Sequence, residues 1–298
     1  MADTPQRAPL APSAFPDLAP IAGVTFAATA AGVKYTGRTD VMLAVCAPGT
    51  SVAGVFTKSA TRSAPVLDCQ AKLGGDPSAG AAILVNSGNS NAFTGRNGSD
   101  AVDQLVATTA TATGIPAQRV FTASTGVIGE PLPYERITAK LNDLNAQLAP
   151  NAIADAADAI MTTDTYAKGA GASCEVDGTQ IQIAGIAKGS GMIAPDMATM
   201  LVYIFTDAQV DQPTLQAMTK RAAETTFNCI TVDSDTSTSD TVMVAATGAS
   251  GVDASSDTGF ETALHSVMLD LAHQVVRDGE GATKFVEINV TGADTDAG

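Results

Sequence analysis

The stretch Ala187-Lys188-Gly189-Ser190-Gly191-Met192-Ile193-Ala194-Pro195-Asp196-Met197-Ala198-Thr199-Met200-Leu201 sets the reading of the whole chain. It follows an alternating run, Gln180 to Ile186, that reads as a strand. Gly189 and Gly191 permit a tight loop with close backbone approach. Pro195 stops any helix and biases Ala194 to an extended conformation. A small residue, Ala198, precedes Thr199, and the apolar run Met200 to Phe205 reads as a buried strand. A loop, a small residue and a threonine opening a buried strand is the layout of a nucleophile released by self-cleavage. With the Ala198–Thr199 bond open, Thr199 carries a hydroxyl and a free α-amine. An α-amine titrates near ~8 and can serve as base for its own hydroxyl. The same residues also describe a glycine-rich turn before a core strand, and at this level both readings stand.

Working outward, the 298 residues suit two domains at ~150 residues each, or one large α/β unit. A net charge of -15 argues against nucleic acid and anionic membranes as partners, because both need a basic surface. An acidic substrate would need local positive charge inside this acidic shell. No run is long enough to span a bilayer, and the N-terminus lacks a charged region followed by an apolar one, so a cytoplasmic protein is expected. Cys46, Cys69, Cys174 and Cys229 form no C-x-x-C pair and read as reduced, mostly buried thiols, neither a metal site nor a disulfide frame. His265 and His273 share one helical pattern and suggest no Ser-His-Asp arrangement. The acids of Ile230–Thr241 miss the calcium-loop pattern, with no Gly at its sixth place and no Glu at its twelfth.

Met1 to Ala19 is rich in Pro and Ala and reads as a flexible arm before a body that starts at residue 20. Strands are expected at Val24–Ala28, Asp40–Ala47, from Gly54, at Ala81–Val85, Arg119–Ala123 and Phe285–Val290. Helices are expected at Asp100–Thr113, Pro133–Gln147, Ala152–Ile160, Gln212–Asn228 and Phe260–Val276. Asn86 to Gly95 is a loop dense in Asn, Ser and Gly, suited to side-chain bonds with backbone. Thr125-Gly126 lies at a strand end, where a glycine exposes backbone N–H groups able to hold a developing oxyanion. Met161 to Thr165 reads as a turn stabilised by hydroxyls. Glu280, between Gly279 and Gly281 after a helix, reads as a displayed acid. The irregular alternation of strands and helices gives an α/β fold and leaves parallel and mixed sheets open.

Eight segments resemble the motifs of one family, the ornithine acetyltransferases, or ArgJ family, among them 64–67, which resembles AAPV. Residues 188–201 resemble KGSGMIAP-x-MATML, 30–35 AAGIKY, 124–133 STGVIGEPLP, 161–165 MTTDT and 277–284 RDGEGATK. Residues 86–95 resemble NSGNANA-x-TG with Ser90 for Ala and Phe93 for Cys. Residues 230–241 resemble ITVDGDTSTNDT with Ser234 for Gly and Ser239 for Asn. The resemblance runs from about Ile21 to Gly292. It implies a layered α-β-β-α sandwich of the DmpA/ArgJ-like type with a self-processing N-terminal Thr nucleophile. Cleavage between Ala198 and Thr199 would divide the catalytic domain into an α part, 20–198, and a β part, 199–298. Two copies of each would assemble into a heterotetramer from one precursor.

The implied activity is acetyl transfer from N2-acetyl-L-ornithine to L-glutamate through an acetyl-Thr199 intermediate, a step of arginine biosynthesis. Use of acetyl-CoA as a further donor is left open. By the same resemblance Thr125 and Gly126 form the oxyanion hole, and Thr162, Lys188, Thr199 and Glu280 contact substrate. Lys188 would serve the substrate carboxylate and Glu280 the ornithine amine. No metal and no cofactor are implied. The family's C-terminal tail, which brings an Asn and a Thr or Ser to the pocket, has no visible counterpart here. Two other classes use the same residues: a self-processing hydrolase or aminopeptidase with water as acceptor, and a non-catalytic module.

Overall fold

The computed structural model describes residues 7–194 and 200–292. In chain order its strands are β1 (Val24–Thr29), β2 (Val41–Cys46), β3 (Ser51–Phe56), β4 (Ala81–Asn89), β5 (Val120–Val127), β6 (Lys168–Val176), β7 (Thr179–Lys188), β8 (Leu201–Thr206) and β9 (Thr241–Ala246). The helices are α1 (Ala64–Lys72), α2 (Gly95–Thr113), α3 (Tyr134–Thr138), α4 (Leu141–Ala146), α5 (Ile153–Ala159), α6 (Gln212–Glu224) and α7 (Thr258–Arg277). The strands form two mixed sheets, β1-β2-β4-β5 and β3-β9-β8-β7-β6. Only β4–β5 and β8–β9 are parallel pairs among the described strands.

The sheets stack face to face because their strands are apolar on both sides. In β8, Leu201, Tyr203 and Phe205 join Phe26, Met42, Ile83 and Phe121 in the core between the sheets. Val202 and Ile204, on the opposite face, pack with Leu215 and Met218 of α6 and Leu264, Val267 and Leu271 of α7. The outer face of the first sheet, with Leu43, Leu84 and Val120, is covered by α2, α3 and α4 through Val102, Leu105, Ile137 and Leu144. The result is α-β-β-α, and doubly covered strands explain the unbroken apolar run after Thr199. Phe26 and Phe205 meet edge to face across the sheets, with ring centroids 4.9 Å apart. Truncating either to Ala should cost about 3–5 kcal/mol.

Helices α6 and α7 begin where the sequence supplies caps. Asp211 accepts from the Thr214 N–H and Asp257 from the Phe260 N–H, each satisfying a free first-turn donor. Three segments differ from the sequence expectation. Pro133–Gln147 is two short helices, since Ala139 and Lys140 interrupt it. Phe285–Val290 forms no strand, and Val286, Ile288 and Val290 are 70–82% exposed. Alternation alone cannot make a strand where no neighbouring strand supplies the ladder. The β6–β7 hairpin was not anticipated. It turns on Asp177-Gly178, both left-handed (φ 49° and 76°), as a two-residue hairpin requires.

Residues 7–19 have no regular structure yet lie against the body. The Ala8 N–H donates to Thr165 Oγ1 at 2.9 Å, and Phe15 and Leu18 pack on the inter-sheet core.

Candidate active site

One end of the sandwich gathers the residues singled out by the sequence. The end of β5 brings Thr125 and Gly126, and β7 ends at Lys188, in register with Leu201, the first residue of β8. Ala198 and Thr199 lie outside the described residues, while Met200, bonded to Thr199, lies within them.

Gly126 faces Gly88 across the parallel β4–β5 pair, with φ +131°. A Cβ there would stand 2.4 Å from the Gly88 carbonyl carbon, so only glycine lets the strands close behind Thr125. The loop after β4 is tied by its own side chains. Asn86 Oδ1 accepts from Ser124 Oγ at 2.7 Å, and Asn89 Nδ2 donates to the Glu130 carbonyl at 3.0 Å. Thr125 is buried, and its Oγ1 accepts from Lys188 Nζ at 3.3 Å, a bond that joins the two sheets.

A second group opens to solvent. Thr162, Thr163, Ser190 and Glu280 line a cavity of about 640 Å³, walled by Tyr35 and by Arg7 to Pro9 of the N-terminal segment. Tyr35 is held under Arg38, 4.4 Å from its ring, and Arg38 in turn donates to the Met161 carbonyl. Glu280 is exposed, and its N–H donates to the Ser190 carbonyl at 3.0 Å. Gly191 leaves it room, since a Cβ there would lie 3.1 Å from Glu280 Oε2. The structure therefore brings Thr162 and Glu280 into one pocket, and the buried Thr125 and Lys188 together beside it, with the exposed Gly126 next to Thr125 at the end of β5.

A buried charge network joins the two groups. Asp164 Oδ1 accepts from Lys168 Nζ and from the Gly189 N–H, each at 2.6 Å, and Oδ2 accepts from the Thr162 N–H at 3.0 Å. Lys168 also reaches Asp278 at 2.5 Å, and Asp278 accepts from the backbone and hydroxyl of Thr165. Burial alone would raise the Asp164 carboxyl. The charges of Lys168 and Lys188 and the hydrogen bonds outweigh it and hold the carboxyl well below the usual carboxylate range. For Lys188 burial dominates and pushes its ammonium down; Asp164, Asp240 and Asp278 oppose the shift and Lys168 adds to it.

Two more acids bracket the junction that precedes β8. Asp233 accepts from the N–H groups of Met192 (2.5 Å) and Ile193 (2.8 Å) on one side. Asp240 Oδ1 accepts from the Met200 N–H at 2.9 Å on the other. Asp240 Oδ2 is buried without a hydrogen-bond partner among the described residues, and burial pushes this carboxyl well above its ordinary value. Sequence reasoning passed over Asp164, Asp233 and Asp240. It credited the Met161–Thr165 turn to hydroxyls, whereas the carboxylates of Asp164 and Asp278 hold it. The available signal for Asp164 was its i,i+4 spacing to Lys168.

No three His, Cys, Asp or Glu among the described residues come together to hold a metal. No described helix is long and apolar enough to cross a membrane.

Four layers with this strand order define a class, the sandwich fold of N-terminal-nucleophile hydrolases. The L-aminopeptidase D-Ala-esterase/amidase of Ochrobactrum anthropi, described as a variant of that fold, superposes with a TM-score of 0.51 over 87% of this chain and 84% of its own. At 10% identity that likeness shows the fold alone. Within the class, the chain belongs to the ArgJ family, whose profile matches residues 25–298. The arginine biosynthesis bifunctional protein ArgJ of Ruegeria pomeroyi is 68% identical over 296 residues, covering 99% of this chain and 72% of that protein. The crystal structure of the ornithine acetyltransferase of Mycobacterium tuberculosis, complexed with ornithine, is 32% identical with a TM-score of 0.52. That match covers 61% of this chain and 94% of the solved one, which is therefore about two thirds as long.

Proposed function

We propose that this protein is an acetyltransferase of arginine biosynthesis that moves the acetyl group of N2-acetyl-L-ornithine to L-glutamate. The observation that carries the reading is that the buried Thr125 and Lys188, with the exposed Gly126 at the same strand end, adjoin an open pocket displaying Glu280 and Thr162, beside the start of β8. The family and the ornithine bound to the solved relative support ornithine as the group the pocket takes.

In this reading the Thr199 hydroxyl attacks the Ala198 carbonyl, the C–N bond breaks as the ester forms and so frees the Thr199 amine, and water then opens the ester to release the Ala198 carboxylate and restore the Thr199 hydroxyl. That amine then takes the hydroxyl proton as Thr199 attacks the acetyl carbonyl of the donor. The backbone N–H at Gly126 and the Thr125 hydroxyl stabilise the tetrahedral oxyanion. Ornithine leaves with a proton, its amine recognised by Glu280, and the glutamate amine takes the acetyl group from Thr199. Thr162 orients the substrate from the pocket wall. The products are Met1–Ala198 and Thr199–Gly298, paired as a two-plus-two heterotetramer. Synthesis of N-acetylglutamate from acetyl-CoA is the second activity that the bifunctional relatives suggest.

The test joins processing and turnover on one preparation. Intact mass should show the two fragments, and acetylornithine should be consumed only when glutamate is present. Thr199→Ala should abolish both, and Thr199→Ser should keep part of each. Consumption of acetylornithine at the same rate without glutamate would assign the protein to the hydrolases instead. Normal transfer by Thr199→Ala would remove the nucleophile.

A further inference from the structure

Lys168 and Lys188 are both buried, at 0% and 2% exposure, on adjacent strands, yet their partners differ sharply. Lys168 has two carboxylates within 2.6 Å. Lys188 has no carboxylate in ion-pair range among the described residues, and its one hydrogen bond there is the 3.3 Å contact to Thr125 Oγ1. An ammonium has three hydrogens to donate, so Lys188 is under-partnered for its burial. Its partner is informative. A hydroxyl that accepts from an ammonium must point its own hydrogen elsewhere, and the Thr125 hydroxyl donates to no acceptor among the described residues. Lys188 thus both aims the Thr125 O–H and polarises it, in a site where low dielectric strengthens such an effect.

We propose that Lys188 is a positioning residue of the oxyanion hole, turning the Thr125 O–H toward the developing oxyanion, and that Asp164 holds Lys188 in place through the Gly189 N–H. This rests on the acyl-transfer reading of the site and assigns Lys188 a task beyond contact with the substrate carboxylate. The charged groups that face Lys188 are Asp164, Lys168, Asp240 and Asp278. Asp164 is the largest attractive one and Lys168 the repulsive one.

The probe is p-nitrophenyl acetate, an acetyl donor with no carboxylate for Lys188 to bind. Attack by Thr199 forms the acetyl ester and expels p-nitrophenolate, so the burst reads acylation directly. Lys188→Met should slow the burst about a hundredfold, the loss typical of an impaired oxyanion donor. Thr125→Val should slow it similarly, and Thr125→Val/Lys188→Met should lose little more, because both changes cut one relay. The wild-type burst should fail on an alkaline limb as Lys188 loses its proton, below the ordinary lysine range because burial disfavours the charge. Asp164→Asn removes an attractive charge and should move that limb to lower pH; Lys188→Met should have no limb. Thermal melts of each variant separate these effects from unfolding.

A Lys188→Met burst equal to wild type, or losses that add in the double variant, would overturn the proposal. So would a processed wild-type protein that gives no burst, since its hole is not competent. A normal Lys188 dependence of the burst without acetylornithine transfer would leave this inference intact and sink the proposed substrate instead.

Discussion

The two buried lysines show how architecture and chemistry differ within one network. Around Lys168, the cation is fully engaged: Asp164 and Asp278 are both within 2.6 Å, and the Gln274 side chain stitches the neighbouring Gly169 to α7 through 2.8 and 3.3 Å bonds. Around Lys188, among the described residues, a cation meets one hydroxyl, oppositely charged groups only at longer range, and a buried acid, Asp240, with one oxygen unpartnered. Burial makes unmatched polar groups costly, so a fold keeps them where chemistry needs them. The saturated side holds three loops together. The unsaturated side faces the junction before β8.

The largest effect should come from breaking the saturated side. Lys168→Met leaves two buried carboxylates without their cation and should cost about 3–5 kcal/mol, seen as a large drop in melting temperature. If the variant melts like wild type, the network is not what ties β6 to α7. Glu280→Gln sharpens the contrast from the open pocket. It should raise KM for acetylornithine about tenfold, the size of a weak charge-assisted hydrogen bond, without moving the melt. A lower melt with unchanged kinetics would make Glu280 structural. The smallest effect should be on pH dependence. The Asp240 carboxyl is raised in the folded state, so its stabilising share is full below the unfolded carboxyl pKa and is lost as pH rises through the folded one. Asp164 is lowered, so its share is present above the unfolded carboxyl pKa and fades as pH falls toward the folded one. Urea titrations across pH should therefore show Asp240→Asn abolishing the loss of stability that sets in as pH rises above the unfolded carboxyl pKa, while leaving the fade at lower pH alone. An unchanged loss would show that Asp240 ionises freely in the fold.

Much of the frame was legible because its signals are local. The apolar run at Met200–Phe205, the alternation of Gln180–Ile186 and the helical periods of α2, α6 and α7 each reappear as elements. Thr125-Gly126 was legible as a strand end and Lys188 only through the family resemblance, and the structure sets them together. The acids were not. Asp164, Asp233 and Asp240 lie in loops, where an acid is by default solvated, and only the closure of distant segments buries Asp164 and Asp240 and sets the exposed Asp233 against Met192 and Ile193. Asp240 meets Met200 forty residues away, and Asp278 meets Thr165 across 113. The Asp177-Gly178 turn was readable as a hairpin and was passed over, since the weakly patterned Lys168–Val176 gave no strand to attach it to. Phe285–Val290 shows the reverse, a strand-like alternation that pairs with no described strand.

The order β3-β9-β8-β7-β6 has a consequence for the two fragments. Strands β7 and β8 follow one another in the chain and pair in the sheet, and a break before β8 would place them on separate polypeptides. The later polypeptide would contribute β8 and β9 as a wedge, with β7 of the earlier one on one side and β3 on the other. Neither piece could depart without opening two six-residue ladders and baring α6 and α7 at once. The cut would therefore be silent to any native separation and visible only after denaturation. The two polypeptides would behave as complementing fragments, each holding the template that the other needs to fold.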